Sequence, residues 1–142
     1  MKRMAFTLVE LLVVLLILAI LLGLVVGISK YIMAEAASKQ TVATQRIVML
    51  AVERYQETEG SYPPDDSSCT TLMTTLHSND ASSTTLLDLP EESWAARGKP
   101  LKDGFGENMA YERSGGFGGT PILISKGPDR EFNTADDIRS DK

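Results

Sequence analysis

Near the C-terminus, Asp129, Glu131, Asn133, Asp136 and Asp137 crowd oxygen-bearing side chains into one short stretch that follows Gly127 and Pro128. Hard cations such as Ca²⁺ take about six to eight oxygens, several of them backbone carbonyls, from a flexible loop. The stretch therefore reads either as a calcium loop or as a solvated acidic turn. Its spacing begins like an EF-hand, but Thr134 stands where that loop needs Gly and Ser140 where it needs the closing Glu. The EF-hand reading fails. In the calcium reading the carboxylates repel one another without a cation, and the loop frays. The second chemically loaded residue is Glu10, which lies inside an otherwise apolar run. A carboxylate placed in a bilayer costs several kcal/mol unless it is paired or neutralised, and no group of its own helix is expected to satisfy it. The other reading of Glu10 is an interfacial residue held among headgroups. Catalytic signals are few: the single His77 has no nominated partner, the single Cys69 reads as a small, partly buried thiol, and no paired carboxylates mark a cleft.

The element that carries Glu10 runs from Phe6 to Ile28, with Thr7 and Glu10 as its only polar side chains. At about 23 residues and 1.5 Å per residue such a helix crosses a bilayer core, and it lacks the polar face of a soluble helix. Lys2 and Arg3 precede it, a short basic leader abutting an apolar span, and they hold the N-terminus cytoplasmic and send the rest outward. Gly23 and Gly27 have the small-xxx-small spacing that lets membrane helices approach; they equally suit a bend. Past Ile28 the helix turns amphipathic. Ile47, Val48, Ala51, Val52 and Tyr55 form one stripe, Lys39, Arg46 and Glu53 lie opposite, and Met49 and Leu50 are left over for a neighbour. Gly60 and Ser61-Tyr62-Pro63-Pro64 end the helix. A Ser/Thr-rich segment follows, with Leu72, Met73 and Leu76 spaced for one short buried helix. Trp94 reads as a plug for the small core. Met109–Arg113 and Thr120–Ser125 read as strands, and the Gly-rich stretch 114–119 as the hairpin loop between them. A formal charge of −5 without a basic patch argues against nucleic acid as a partner, and a lone cysteine forms no disulfide within the chain.

Ala5 followed by Phe6, Thr7, Leu8 and Glu10 and a long apolar run resembles the type III signal of type IV pilins and type II secretion pseudopilins, with Ala5 where the family usually has Gly. The resemblance implies that a prepilin peptidase cuts between Ala5 and Phe6 and methylates the new amine. It also implies that Glu10 pairs with that amine on an adjoining subunit during assembly. The junction from Arg54 to Pro63 is similar to the helix end of type II secretion major pseudopilins. The stretch from Lys102 to Tyr111 is similar to their turn into a first strand, with Gly104 and Phe105 replacing Pro and Trp. The stretch from Ser125 to Ile138 is similar to their C-terminal calcium loop. On that resemblance Asp129 and Asp136 are side-chain ligands of Ca²⁺, with Asp137 and Asn133 as further candidates and Ser125 offering a carbonyl.

The implied organisation is a leader at 1–5, a transmembrane and filament-core helix at 6–29, an amphipathic helix at 30–59, and a periplasmic domain at 60–142 with its calcium loop at 125–138. The implied fold is α+β, a long N-terminal helix packed on a small antiparallel sheet. The implied function is that of a non-enzymatic subunit of a type II secretion pseudopilus in the bacterial inner membrane. Its partners would be other copies, minor pseudopilins, the prepilin peptidase and the inner-membrane assembly platform. Type IV pilus subunits are the close variant, and a membrane-anchored periplasmic binding domain or enzyme is the reading from another class.

Overall fold

The computed structural model of the chain describes residues 7–89 and 98–142, the side chains of residues 25–28 and 30 excepted. Ala5, Phe6 and Trp94, singled out above, lie outside the described residues. The fold is α+β and divides into two compact units, Met1–Glu35 and Ala36–Lys142. Helix α1, Leu8–Glu59, supplies residues to both.

In the first unit the described side chains from Thr7 to Leu24 are all exposed, as expected of a helix apolar on every side. Among the described residues no helix is long and apolar enough to cross a membrane. The expected span of 6–29 draws part of its length from Phe6 and from the side chains of 25–28, outside that description.

The second unit is built where α1 becomes amphipathic. Val48, Ala51 and Val52 are buried, with Ile47 and Tyr55 partly so, while Lys39, Arg46 and Glu53 are exposed. The buried stripe extends further back than its apolar residues indicate, because Thr41, Thr44 and Gln45 are buried too. Gln45 spends its amide on two sheet carbonyls, Leu123 at 3.3 Å and Ile138 at 2.8 Å. A buried amide with its donors satisfied costs little, and one left bare costs far more. The helix stops at Glu59, and Gly60 takes φ +73° while its amide bonds the Gln56 carbonyl, a left-handed ending that favours glycine.

The Ser/Thr-rich segment forms two helices where one was expected: α2, Thr70–Ser78, and α3, Asp80–Leu86. Leu72, Met73 and Leu76 are buried as their spacing predicts. The second helix exists because Asn79 caps it, its side chain accepting from the amides of Ala81 and Ser82, and because Leu86 anchors it in the core. Asp66 starts α2 in the same manner. Its carboxylate accepts from the amides of Ser68, Thr71 and Leu72, and the segment joins the sheet through paired backbone bonds between Asp66 and Tyr111.

The sheet has three antiparallel strands in the order β1 (Ala110–Glu112), β2 (Ile122–Ser125) and β3 (Ile138–Arg139). Tyr111 pairs with Leu123, and both face the core; Ser125 pairs with Ile138. β3 was not expected. It is too short to show alternation, and backbone pairing rather than side-chain pattern defines it. Each fully buried Leu, Val or Met in this core contributes on the order of 1.5–3 kcal/mol.

Candidate functional site

At the N-terminal end, Thr7 and Glu10 form a capping box. The Glu10 carboxylate accepts from the Thr7 amide at 2.9 Å and from the Thr7 hydroxyl at 2.8 Å, and the Thr7 hydroxyl lies 3.3 Å from the Glu10 amide, which donates to it. This corrects the expectation that no group of its own helix satisfies Glu10. The Thr-x-x-Glu spacing is the sequence signal for this cap, since it pairs a carboxylate with the orphan donors of a helix start. The cleavage pair Ala5 and Phe6 lies outside the described residues.

In the C-terminal loop the carboxylates accept hydrogen bonds from donors of the loop itself. Asp136 accepts from the Asp129 amide at 3.1 Å and from the Thr134 hydroxyl at 2.8 Å. Asp137 accepts from the Asn133 amide at 2.8 Å and, weakly, from the same hydroxyl. Asp129 turns back to accept from the Glu131 amide at 2.9 Å. The Thr134 hydroxyl, with the loop amides, holds the Asp136 carboxyl below its usual range. The loop's own amides and the Thr134 hydroxyl thus supply donors to its carboxylates. Arg130 and Asn133 adopt positive φ to make these turns, and a Cβ at Gly127 would collide with the Asp136 carbonyl, so the loop closes on a glycine. Glu107 reaches over the loop toward Lys126 and Arg130, both at 3.8 Å, and Lys126 lies 5.1 Å from the Phe132 ring centre. Among the described residues no three His, Cys, Asp or Glu side chains converge as a metal centre. Asp129, Asp136 and Asp137 share the loop. Asn133 enters it through its backbone amide. Ser125 stands elsewhere, buried in β2.

Ser125 belongs to a hub that the sequence reading did not find. Its hydroxyl donates to Asp103 at 2.6 Å and accepts from the Gly127 amide at 3.2 Å. Asp103 is only 6% exposed and also accepts from the amides of Phe105 and Glu107, each at 2.9 Å. One carboxylate thus fastens the turn before β1 to the end of β2 and the start of the acidic loop. The next residue, Gly104, donates its amide to the Thr41 hydroxyl at 2.9 Å, and a Cβ there would strike the Ala37 backbone. The Asp-Gly pair was the available signal: a carboxylate beside a residue that permits close backbone approach.

The remaining reactive side chains are occupied structurally. Cys69 is fully buried, not partly, and its thiol donates to the Met109 carbonyl at 3.2 Å; burial pushes it well above the usual thiol range, away from nucleophilic use. His77 sits half-buried at the end of α2, distant in chemistry from any nucleophile.

Compared with known proteins, residues 2–26 match the family model described as the prokaryotic N-terminal methylation motif. No curated protein and no solved structure matches the chain. The match spans Glu10 and the exposed apolar start of α1, and leaves the second unit to be read from its own geometry. The chain carries a prepilin-type N-terminal methylation motif, which supports a type IV pilin-like structural subunit in the general sense, processed by prepilin peptidase and assembled into a filament.

Proposed function

We propose that this protein is a structural subunit of a type II secretion pseudopilus, anchored in the inner membrane by residues 6–29 until it polymerises through that helix. The observation that carries the reading is the methylation motif at residues 2–26, with Glu10 in an apolar helix. A plain membrane anchor could use such a carboxylate to cap its helix, so Glu10 supports the reading through its place in the motif. Secretion is favoured over a type IV pilus by the resemblance of the helix end at Tyr55–Pro63 and of the acidic loop to those of major pseudopilins. The other partners, minor pseudopilins and the inner-membrane assembly platform, follow from the same reading.

What supports a hard cation is the resemblance of the loop and its oxygen-rich composition; among the described residues Asp129, Asp136 and Asp137 do not converge as a ready-made centre. Ca²⁺ is the proposed ion, with Asp129 and Asp136 as its side-chain ligands, and it would supply positive charge to a loop that carries several carboxylates. Asp137 and Asn133 are secondary candidates. Ser125 stays a candidate through its carbonyl, its hydroxyl being engaged with Asp103.

Intact-mass measurement of the membrane-extracted protein should find a chain beginning at methylated Phe6, with Glu10→Ala processed normally but poor in filaments. A mature form beginning beyond Ile28 would sink the filament reading. Deleting the gene separates the two variants: retention of folded exoproteins in the periplasm supports secretion, whereas lost surface pili with normal export supports the pilus.

A further inference from the structure

The loop between β1 and β2 presents an aromatic side chain to solvent in a rigid frame. Phe117 is 93% exposed, flanked by Gly115 and Gly116 on one side and Gly118 and Gly119 on the other. The loop is not slack. The Gly116 amide bonds the Thr120 carbonyl at 2.9 Å, the Gly119 amide bonds the Gly116 carbonyl at 3.1 Å, and the Thr120 hydroxyl bonds the Phe117 carbonyl at 3.0 Å. Gly118 and Gly119 take positive φ, which gives the turn its sharp tip. A backbone already ordered loses little freedom when its side chain is buried against a partner, which favours its use in binding.

A socket of matching chemistry lies on the same unit. Beside β3 a groove of about 410 Å³ runs along α1, with Val42, Met49 and Leu50 as its apolar lining and Arg46 and Lys142 among its charged residues. Met49 and Leu50 are the two helix residues that the core stripe leaves over, and Leu50 is 46% exposed. The charges are complementary on balance, since the groove sets Arg46, Arg139 and Lys142 against Glu53. The cleft beside the Phe117 loop is lined by Asp65 and Glu112, opposite in charge to Arg46 and Lys142. The Arg46 guanidinium is also suited to an aromatic face.

We propose that Phe117 of one copy of this chain inserts into the Val42–Met49–Leu50 groove of a second copy, with the Asp65 and Glu112 cleft facing Arg46 and Lys142. The loop leaves the sheet at the Glu112 and Ile122 ends of β1 and β2, whereas the groove borders the free β3 edge. Knob and socket are distinct patches that meet at Arg139, which lines the groove and donates to the Gly115 carbonyl of the loop. Such a contact is heterologous, the type from which filaments are built when the rotation does not close. The proposal rests on the reading of the chain as a filament subunit and names which outer surfaces meet.

The test uses the full-length chain expressed in membranes that assemble it. Phe117→Ala should reduce filament yield about tenfold or more, the loss expected when a buried interface aromatic is truncated, while Phe117→Leu keeps most of it. Neither should alter processing or the melting temperature, because the side chain contacts solvent. In a chain that keeps Phe117 and Leu50 and carries both Ser114→Cys, in the cleft beside the loop, and Glu53→Cys, in the lining of the groove, a mild oxidant such as diamide should give a ladder of linked oligomers; each single variant should give none. Cys69 is buried and does not contribute. Filament yield from Phe117→Ala within about twofold of wild type, a loss of filaments without the cross-link, or a ladder from either single variant would each overturn the pairing. Absence of filaments from the wild-type chain would instead overturn the underlying filament reading, and this contact with it.

Discussion

Removing the Asp103 carboxylate should loosen the second unit more than its single position suggests. Asp103 is 6% exposed and accepts from the Ser125 hydroxyl and from the Phe105 and Glu107 amides. In Asp103→Ala all three donors lose their acceptor. A donor stranded in the interior costs about 1–3 kcal/mol. The Ser125 hydroxyl, fully buried, bears most of that cost, while the two amides lie in a half-exposed turn and regain part of their bonding from water. The sum is about 3 kcal/mol. For a unit of this size that corresponds to a fall in melting temperature on the order of 12 °C. Asp103→Asn keeps one oxygen for the two amides and loses the charge-assisted bond to Ser125, so its cost should be nearer 1 kcal/mol. Near-UV circular dichroism of the full chain in detergent suits the measurement, because Tyr111 is buried in this unit and loses its fixed environment when the unit melts. If Asp103→Ala melts within about 3 °C of wild type, the carboxylate is not the fastening between the turn, β2 and the acidic loop.

Three further perturbations bear on the same framework. Gly104→Ala should destabilise the second unit by about 1–3 kcal/mol, read as a lower melting temperature, because its Cβ meets the Ala37 backbone; a neutral result would show that the turn can lift off α1. Burial raises the Asp66 carboxyl, but the amides of Ser68, Leu72 and Thr71 outweigh it and hold the group below its usual range. Its folded pKa is depressed, so its contribution is complete above the ordinary carboxylate pKa and is lost as pH falls through the folded value; Asp66→Asn should flatten the acid limb of stability against pH, and an unchanged limb would refute the cap. Calcium at about 100 times its Kd should add roughly 2.7 kcal/mol, raising the melting temperature over that in chelator, with Asp129→Ala or Asp136→Ala abolishing the rise; equal melting in both conditions would leave a solvated acidic turn.

What the sequence disclosed depended on whether a feature was local and periodic. The buried face of α1 at Val48, Ala51 and Val52 and the α2 anchors at Leu72, Met73 and Leu76 follow from helical spacing alone. The β1–β2 hairpin follows from its glycine loop. β3 was invisible because a two-residue strand has no pattern, and its place is set by a partner far along the chain. The same holds for Gln45, which reads as a solvated side chain until Leu123 and Ile138 present carbonyls to it. Asp103 belongs to this class as well: nothing near it in sequence announces that Ser125 will arrive beside it.

Glu10 illustrates how a correct alarm can attach to an incomplete reason. A carboxylate in an apolar helix was flagged by the cost of burying charge, and that cost points to a partner. The structure supplies one at hand, since the Thr7 amide and hydroxyl both donate to it. The single chain is therefore not left with an orphan charge before it assembles. On the proposed filament reading, pairing with the Phe6 amine of an adjoining subunit would be an exchange of partners rather than a rescue. Its net contribution is the difference between the two sets of bonds, and the capping box lies on the losing side of that difference. A neutral cap such as Glu10→Gln preserves much of the helix start and removes the charge that an amine would seek. The substitution separates the two roles: helix formation should survive it, and filament growth should not.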